Sequence, residues 1–176
     1  MTPEPLWIFG YGSLIFRPDF LFAERRPAFI RDYQRRFWQG SIDHRGTPEA
    51  PGRVVTLLEA PGAVCWGVVY RVEAAESERV LSRLDHREQG GYERQYVTAT
   101  FSGGASVEAL FYRAPPGNRN YLGPATLFEI RAQVERASGP SGANRDYVTE
   151  LASALRALGV SEDPELELDG LLQPSD

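Results

Sequence analysis

The chain contains no lysine: all 19 of its basic residues are arginine. That absence removes Schiff-base catalysis, attachment of pyridoxal phosphate and the phosphate-gripping lysine of a P-loop. Cys65 stands alone, which excludes an internal disulfide and any zinc site built on cysteines. The two histidines, His44 and His86, are too few for a multi-histidine metal centre, and no metal or cofactor is expected. No apolar run approaches the roughly 20 residues that a membrane-spanning helix needs. Met1 to Pro5 lacks the basic and apolar regions of a secretory signal, so the sequence predicts a soluble, cytoplasmic protein with no membrane partner. A net charge of −5 and a pI near 5.2 argue against non-specific binding of nucleic acid.

What remains is an ordinary globular composition, with 42% hydrophobic and 24% charged residues in 176, a length that favours one domain over residues 1–176. Leu6 to Phe9 reads as a buried strand running into the tight turn Gly10-Tyr11-Gly12-Ser13. Arg53 to Glu59 and Val64 to Val72 are rich in β-formers, and Ala60-Pro61-Gly62-Ala63 between them predicts a hairpin. Tyr96 to Phe101 and Val107 to Arg113 predict a second hairpin across Ser102–Ser106. Helical spacing of apolar residues is found over Ala74 to Glu88, Ala125 to Ala137 and Asn144 to Leu158. Pro124 suits the first turn of the second helix, and Gly159 the residue after the third. From Ser161 the acidic tail is expected to fray. Strands and helices interleave without regular βαβ alternation, which predicts an α+β fold with a strongly curved sheet or small barrel.

Several clusters are chemically suggestive. Gly10-Tyr11-Gly12-Ser13-Leu14-Ile15 fails as a dinucleotide fingerprint, because Ile15 occupies the third glycine's place. Two glycines after a strand can form an anion-sized nest of backbone N–H groups or can simply close a turn. At the end of the first helix, Glu88 faces the negative pole of the helix dipole and follows Asp85 by three residues. Both effects push its carboxyl pKa upward, toward the range of a general base, while Arg83 and Arg87 oppose the push. A charge run at a helix end is also what a solvated, salt-bridged surface looks like. Arg35 to Gly46 interleaves arginines with aromatics, Gln39 and His44, as a small-anion surface or an amphipathic strand does. Asp43 and His44 are adjacent, and in a strand adjacent side chains point apart, so no catalytic pair is expected. No Gly-x-Ser-x-Gly elbow is present, Cys65 reads as packing, and Tyr147 opens an apolar helix stripe.

Taken in order, Trp7 to Ile15, Arg36 to Ser41, Asp43 to Gly46, Pro51 to Leu57, Leu84-Asp85 with Arg87-Glu88, and Gly90-Gly91-Tyr92 resemble the ChaC family. Asn120 to Pro124 and Ala137 to Asn144 with Tyr147 continue the match, which covers about Trp7 to Leu158. The resemblance implies the γ-glutamylcyclotransferase-like fold and a glutathione-specific γ-glutamylcyclotransferase, a lyase forming 5-oxoproline and cysteinylglycine in glutathione catabolism. It implies Glu88 as the catalytic acid/base, a turn over Gly10, Tyr11, Gly12, Ser13 and Leu14 that holds the γ-glutamyl group, and Tyr147 facing that group. Phe16 in place of a family tryptophan and His86 in place of an aromatic are small departures. Arg36, Arg45 or Arg53 is expected to pair with the glycine carboxylate of glutathione, with Arg45 the chosen substrate-binding residue. Turnover of other γ-glutamyl amino acids or γ-glutamylamines, and a non-catalytic γ-glutamyl-binding module, stand as rival readings.

Overall fold

The computed structural model describes residues 3–174, so the first two residues of the amino-terminal stretch lie outside it. Five strands close into a barrel in the order β1-β3-β2-β4-β5. They are β1 (Leu6–Gly10), β2 (Glu24–Ser41), β3 (Gly52–Val72), β4 (Glu93–Phe101) and β5 (Ser106–Arg113). Closure comes from β1, which pairs antiparallel with β3 and meets β5 in parallel at Ile8 and Leu110. Ile8, Leu57, Val68, Tyr70 and Leu110 are fully buried in the core. Gly67 lies where β3 crosses β1; a Cβ there would strike the Gly10 carbonyl and the Phe9 ring.

The first predicted hairpin is a single strand. β3 continues through Ala60-Pro61-Gly62-Ala63 because β2 accompanies it on both sides of the interruption. Pairing of Arg31 with Val64 gives way to pairing of Tyr33 with Glu59, so the four turn-like residues form a bulge opposite Asp32. Gly62 adopts φ +85° there, and its N–H donates to Asp32 Oδ1 at 2.8 Å. The second hairpin forms as expected from β4 and β5.

Helix α1 (Ser13–Phe16) follows the glycine turn, and α2 (Ser77–Arg87) follows a short 3₁₀ turn at Ala74–Glu76. α3 (Leu127–Arg136) begins later than the sequence predicts. Thr126 caps it in a reciprocal box with Glu129, which leaves Pro124 outside the helix. α4 (Asn144–Ala157) buries the predicted stripe of Tyr147, Leu151 and Leu155, and Gly159 (φ +84°) ends it in the left-handed conformation.

The tail does not fray. Asp163 caps α5 (Pro164–Leu172), which buries Leu168 and Leu172 and packs on α3, α4 and β2. Two of the acids that make this segment look solvated have arginine partners: Asp163 lies 3.4 Å from Arg35 and Asp169 2.9 Å from Arg156. No helix among the described residues is long and apolar enough to cross a membrane.

Candidate active site

The end of β1, the loop after β2, the start of β3, the end of α2 and the first turns of α4 surround a cavity of about 550 Å³. That volume is in the range of small-molecule sites. Tyr11, Gly12, Ser13, Leu14, Arg45, Glu88 and Tyr147 all line it, although they come from four separate stretches of chain. Gly10 does not. It is the last residue of β1, and a Cβ there would meet Leu14 Cβ at 2.9 Å, so its part is to let α1 fold back onto the strand. Gly12 is as confined: an added Cβ would lie 2.9 Å from Val55 Cγ2 and 3.2 Å from the Tyr147 hydroxyl. The first turn of α1 leaves N–H groups without intrahelical acceptors, and Gly12 supplies no capping side chain.

Glu88 is the residue after α2, and its N–H still donates to Leu84 O at 2.9 Å. Its side chain is only 15% exposed. Burial pushes its carboxyl above the usual range, nearby Arg87 and His44 hold it down, and Asp43 adds to the rise. The upward direction agrees with the sequence reading, but the cause differs. Asp85, expected to repel Glu88, points elsewhere: Arg94 Nε and the Tyr112 hydroxyl each donate to Asp85 Oδ1 at 2.7 Å. The Arg94 hydrogen bond holds Asp85 below the ordinary carboxylate value.

Arg87 fixes the spacing between Glu88 and the glycine turn. Its Nη2 donates to Ser13 Oγ at 2.8 Å, and its Nη1 donates to Arg17 O at 2.6 Å and Pro18 O at 3.2 Å. Its Nε lies 3.8 Å from Glu88 Oε1. His44 completes the clamp, with Nε2 3.0 Å from Arg87 O and Nδ1 3.2 Å from Ser141 Oγ. Contrary to the strand-based expectation, Asp43 and His44 approach to 3.9 Å and both line the cavity, because the chain leaves β2 at Ser41. With both ring nitrogens engaged, His44 supports the α2 terminus rather than serving as a base.

Tyr147 reaches the site because Asn144, one turn earlier, pins α4 to β3. Asn144 Oδ1 accepts from Arg53 N at 2.7 Å and its Nδ2 donates to Arg53 O at 2.8 Å. The Tyr147 hydroxyl accepts from Val55 N at 3.2 Å, which leaves its own proton to donate. Burial pushes its pKa up to about 12, so it is a protonated donor at neutral pH. Tyr92 is a lining residue that the residue-by-residue reading overlooks; its hydroxyl donates to Val55 O at 2.9 Å. The Tyr11 hydroxyl is spent on Tyr112 O at 2.6 Å, so Tyr11 contributes its ring and backbone.

Of the three arginines considered for a substrate carboxylate, only Arg45 lines the cavity. It is buried, donates to Ala143 O at 3.1 Å and lies over the Tyr147 ring at 5.7 Å. Arg36 bonds Gln34 and its neighbour's carbonyl, while Arg53 holds Gln133 and Phe37 O. The assembled groups can move one proton at Glu88, donate a hydrogen bond from Tyr147 and receive an anion at the glycine turn.

The profile of the ChaC-like protein family matches residues 6–173. The chain belongs to the ChaC family. A Homo sapiens protein named glutathione-specific gamma-glutamylcyclotransferase 1 is 43% identical over 167 residues, covering 93% of this chain and 75% of that one. Gamma-glutamylcyclotransferase 2-3 of Arabidopsis thaliana is 46% identical over 165 residues, covering 89% and 83%. Among solved structures, a γ-glutamyl cyclotransferase specific to glutathione from yeast superposes with a TM-score of 0.89 at 28% identity, over 95% of both chains. The structure of a further protein, a gamma-glutamyl cyclotransferase, shares the fold at TM-score 0.59 and 18% identity. The ChaC fold is thus a closed five-stranded barrel with helices packed around it, as the α+β reading anticipates.

Proposed function

We propose that this ChaC protein is a glutathione-specific γ-glutamylcyclotransferase working in the cytoplasm. The observation that carries the reading is the meeting of a buried, elevated carboxyl at Glu88 with the glycine turn and the Tyr147 hydroxyl in one cavity. The likeness to relatives named for this activity supports it.

The reaction needs no protein nucleophile. The substrate's α-amino nitrogen attacks its own γ-carbonyl carbon, a five-membered ring closes, and the bond to the cysteine nitrogen breaks. An ammonium cannot attack, so Glu88 takes a proton from the amine and returns one to the departing cysteinylglycine nitrogen. A carboxyl held above its usual value suits both halves of that cycle. The first-turn N–H groups of α1 receive the α-carboxylate or the developing oxyanion, and Tyr147 donates to the γ-glutamyl oxygen. Holding the glutamyl chain folded, with nitrogen over carbon, supplies a proximity effect of several kcal/mol.

Incubation with millimolar glutathione, with 5-oxoproline and cysteinylglycine both quantified, tests the assignment. Equimolar release of the two is expected, with kcat/KM for γ-glutamyl-alanine far lower. Equal rates on both substrates would replace glutathione by γ-glutamyl compounds in general. Binding of glutathione without any product would leave a γ-glutamyl-binding module.

A further inference from the structure

Four arginines line the cavity, and three of them are occupied. Arg17 pairs with Glu150 at 3.6 Å, Arg45 is sealed against Ala143 O and the Tyr147 ring, and Arg87 spends its guanidinium on Ser13, Arg17 and Pro18. Arg83, on α2, has no hydrogen-bond or ion-pair partner among the described residues. It is exposed, so its cation stays hydrated until something replaces the water.

Its place along the helix has a length attached. Arg83 precedes Glu88 by five residues, which at about 1.5 Å rise per residue sets their backbones about 7.5 Å apart along the axis. In glutathione, two residues separate the scissile amide from the terminal carboxylate, a reach of roughly 7 Å when extended. Elsewhere the wall is acidic: Asp19, Asp43 and Glu88 line the same cavity and repel a carboxylate from their neighbourhoods. A substrate with its γ-glutamyl carbonyl at Glu88 therefore finds, at the distance of its far end, the one lining arginine without a partner among the described residues.

We propose that Arg83 is the specificity-determining residue of this enzyme, reading the glycine carboxylate of the cysteinylglycine half. The assignment rests on the cyclotransferase reading above and transfers the carboxylate-binding role from Arg45, which is walled in. It selects γ-glutamyl dipeptides whose free terminal carboxylate lies at the right distance: a γ-glutamyl amino acid carries its carboxylate one residue short of Arg83, and a γ-glutamylamine carries none. Arg83 touches only the leaving half, so its loss weakens ground-state binding rather than proton transfer.

The test compares Arg83→Gln and Arg83→Lys with wild type on glutathione and on glutathione amidated at the glycine carboxylate, following 5-oxoproline. In Arg83→Gln, KM for glutathione rises about tenfold, the loss expected of one charge-assisted pair. The amide's kinetics stay put, so the preference for the free acid collapses. Arg83→Lys falls between, having the charge without the fork. An unchanged acid-to-amide ratio in Arg83→Gln, whether both substrates slow or neither does, would overturn the assignment. Continued turnover of the amide by that variant shows the ring-closing machinery intact. If wild type releases no 5-oxoproline from either substrate, the cyclotransferase reading falls, and the role of Arg83 with it.

Discussion

Two groups of carboxylates and arginines are withdrawn from water in this molecule, and they are built to opposite ends. At the cavity, Glu88 sits beside Arg87 with its side chain 15% exposed, and every arginine hydrogen bond goes to the surrounding chain rather than to Glu88. Beneath α5, the Arg35 side chain is fully buried between Asp163, Cys65 and Trp66 O, and both Glu165 oxygens are buried with no hydrogen-bond partner among the described residues. None of Arg35, Asp163 and Glu165 lines the cavity. Burial raises the carboxyl pKa in each group, Glu88 in one and Asp163 in the other, and in each a nearby arginine opposes it. An elevated acid is therefore not in itself a catalytic acid. What distinguishes Glu88 is access, a lining of polar donors, and a neighbour that positions it without neutralising it.

The largest effect expected is on stability, in the sealed group. Arg35→Met strands Asp163 in a mostly buried position and should cost about 3–5 kcal/mol, read by denaturant unfolding. Turnover per folded molecule should stay near wild type; a catalytic loss exceeding the stability loss would mean that the two groups are coupled. At the cavity the order reverses. Gly12→Ala pushes a methyl onto Val55 and the Tyr147 hydroxyl, and kcat/KM should fall about 100-fold, as small misplacements of a reacting group do. Far-UV circular dichroism should be unchanged. Arg87→Met is a subtler perturbation. Arg87 holds the Glu88 carboxyl down, so without it the acidic limb of the kcat/KM–pH profile should move to higher pH, with about tenfold less activity at neutrality. A lower kcat/KM with an unmoved limb would reduce Arg87 to a structural tie.

The barrel was only partly legible before the structure. β1, the second hairpin and the apolar faces of α2 and α4 follow from periodicity, since each buries one face against the core. β2 hid because its 18 residues include Pro27 and five arginines, and because Arg35, which breaks any apolar alternation, points inward with partners of its own. The Pro61-Gly62 bulge mimics a hairpin turn locally, and only the uninterrupted company of β2 distinguishes the two. α5 was obscured by acids whose arginine partners are 13 and 128 residues away in sequence. At the site, motif resemblance marked Glu88, the turn from Tyr11 to Leu14 and Tyr147, while Arg45 was chosen from three arginines on residue type alone. Spacing along the chain could not, because Val55 and Tyr147 touch across 92 residues. The same limit hid the true neighbours of Glu88: Asp85 is near in sequence and turned away, while Asp43 and His44 come from another loop.

The central claim is that Glu88 carries the proton, and Glu88→Gln tests it most directly when turnover and stability are measured on the same samples. Burial raises the folded-state pKa of Glu88 above its unfolded value of about 4.3. Its contribution to stability is therefore complete below that pH and is lost as pH rises through the raised value. A neutral glutamine escapes that loss. Release of 5-oxoproline from glutathione should fall by about 10²–10⁴-fold. The variant's Tm at pH 7.5 should equal or exceed that of wild type, with any advantage shrinking toward pH 4. Turnover within tenfold of wild type in a folded Glu88→Gln protein would contradict the account.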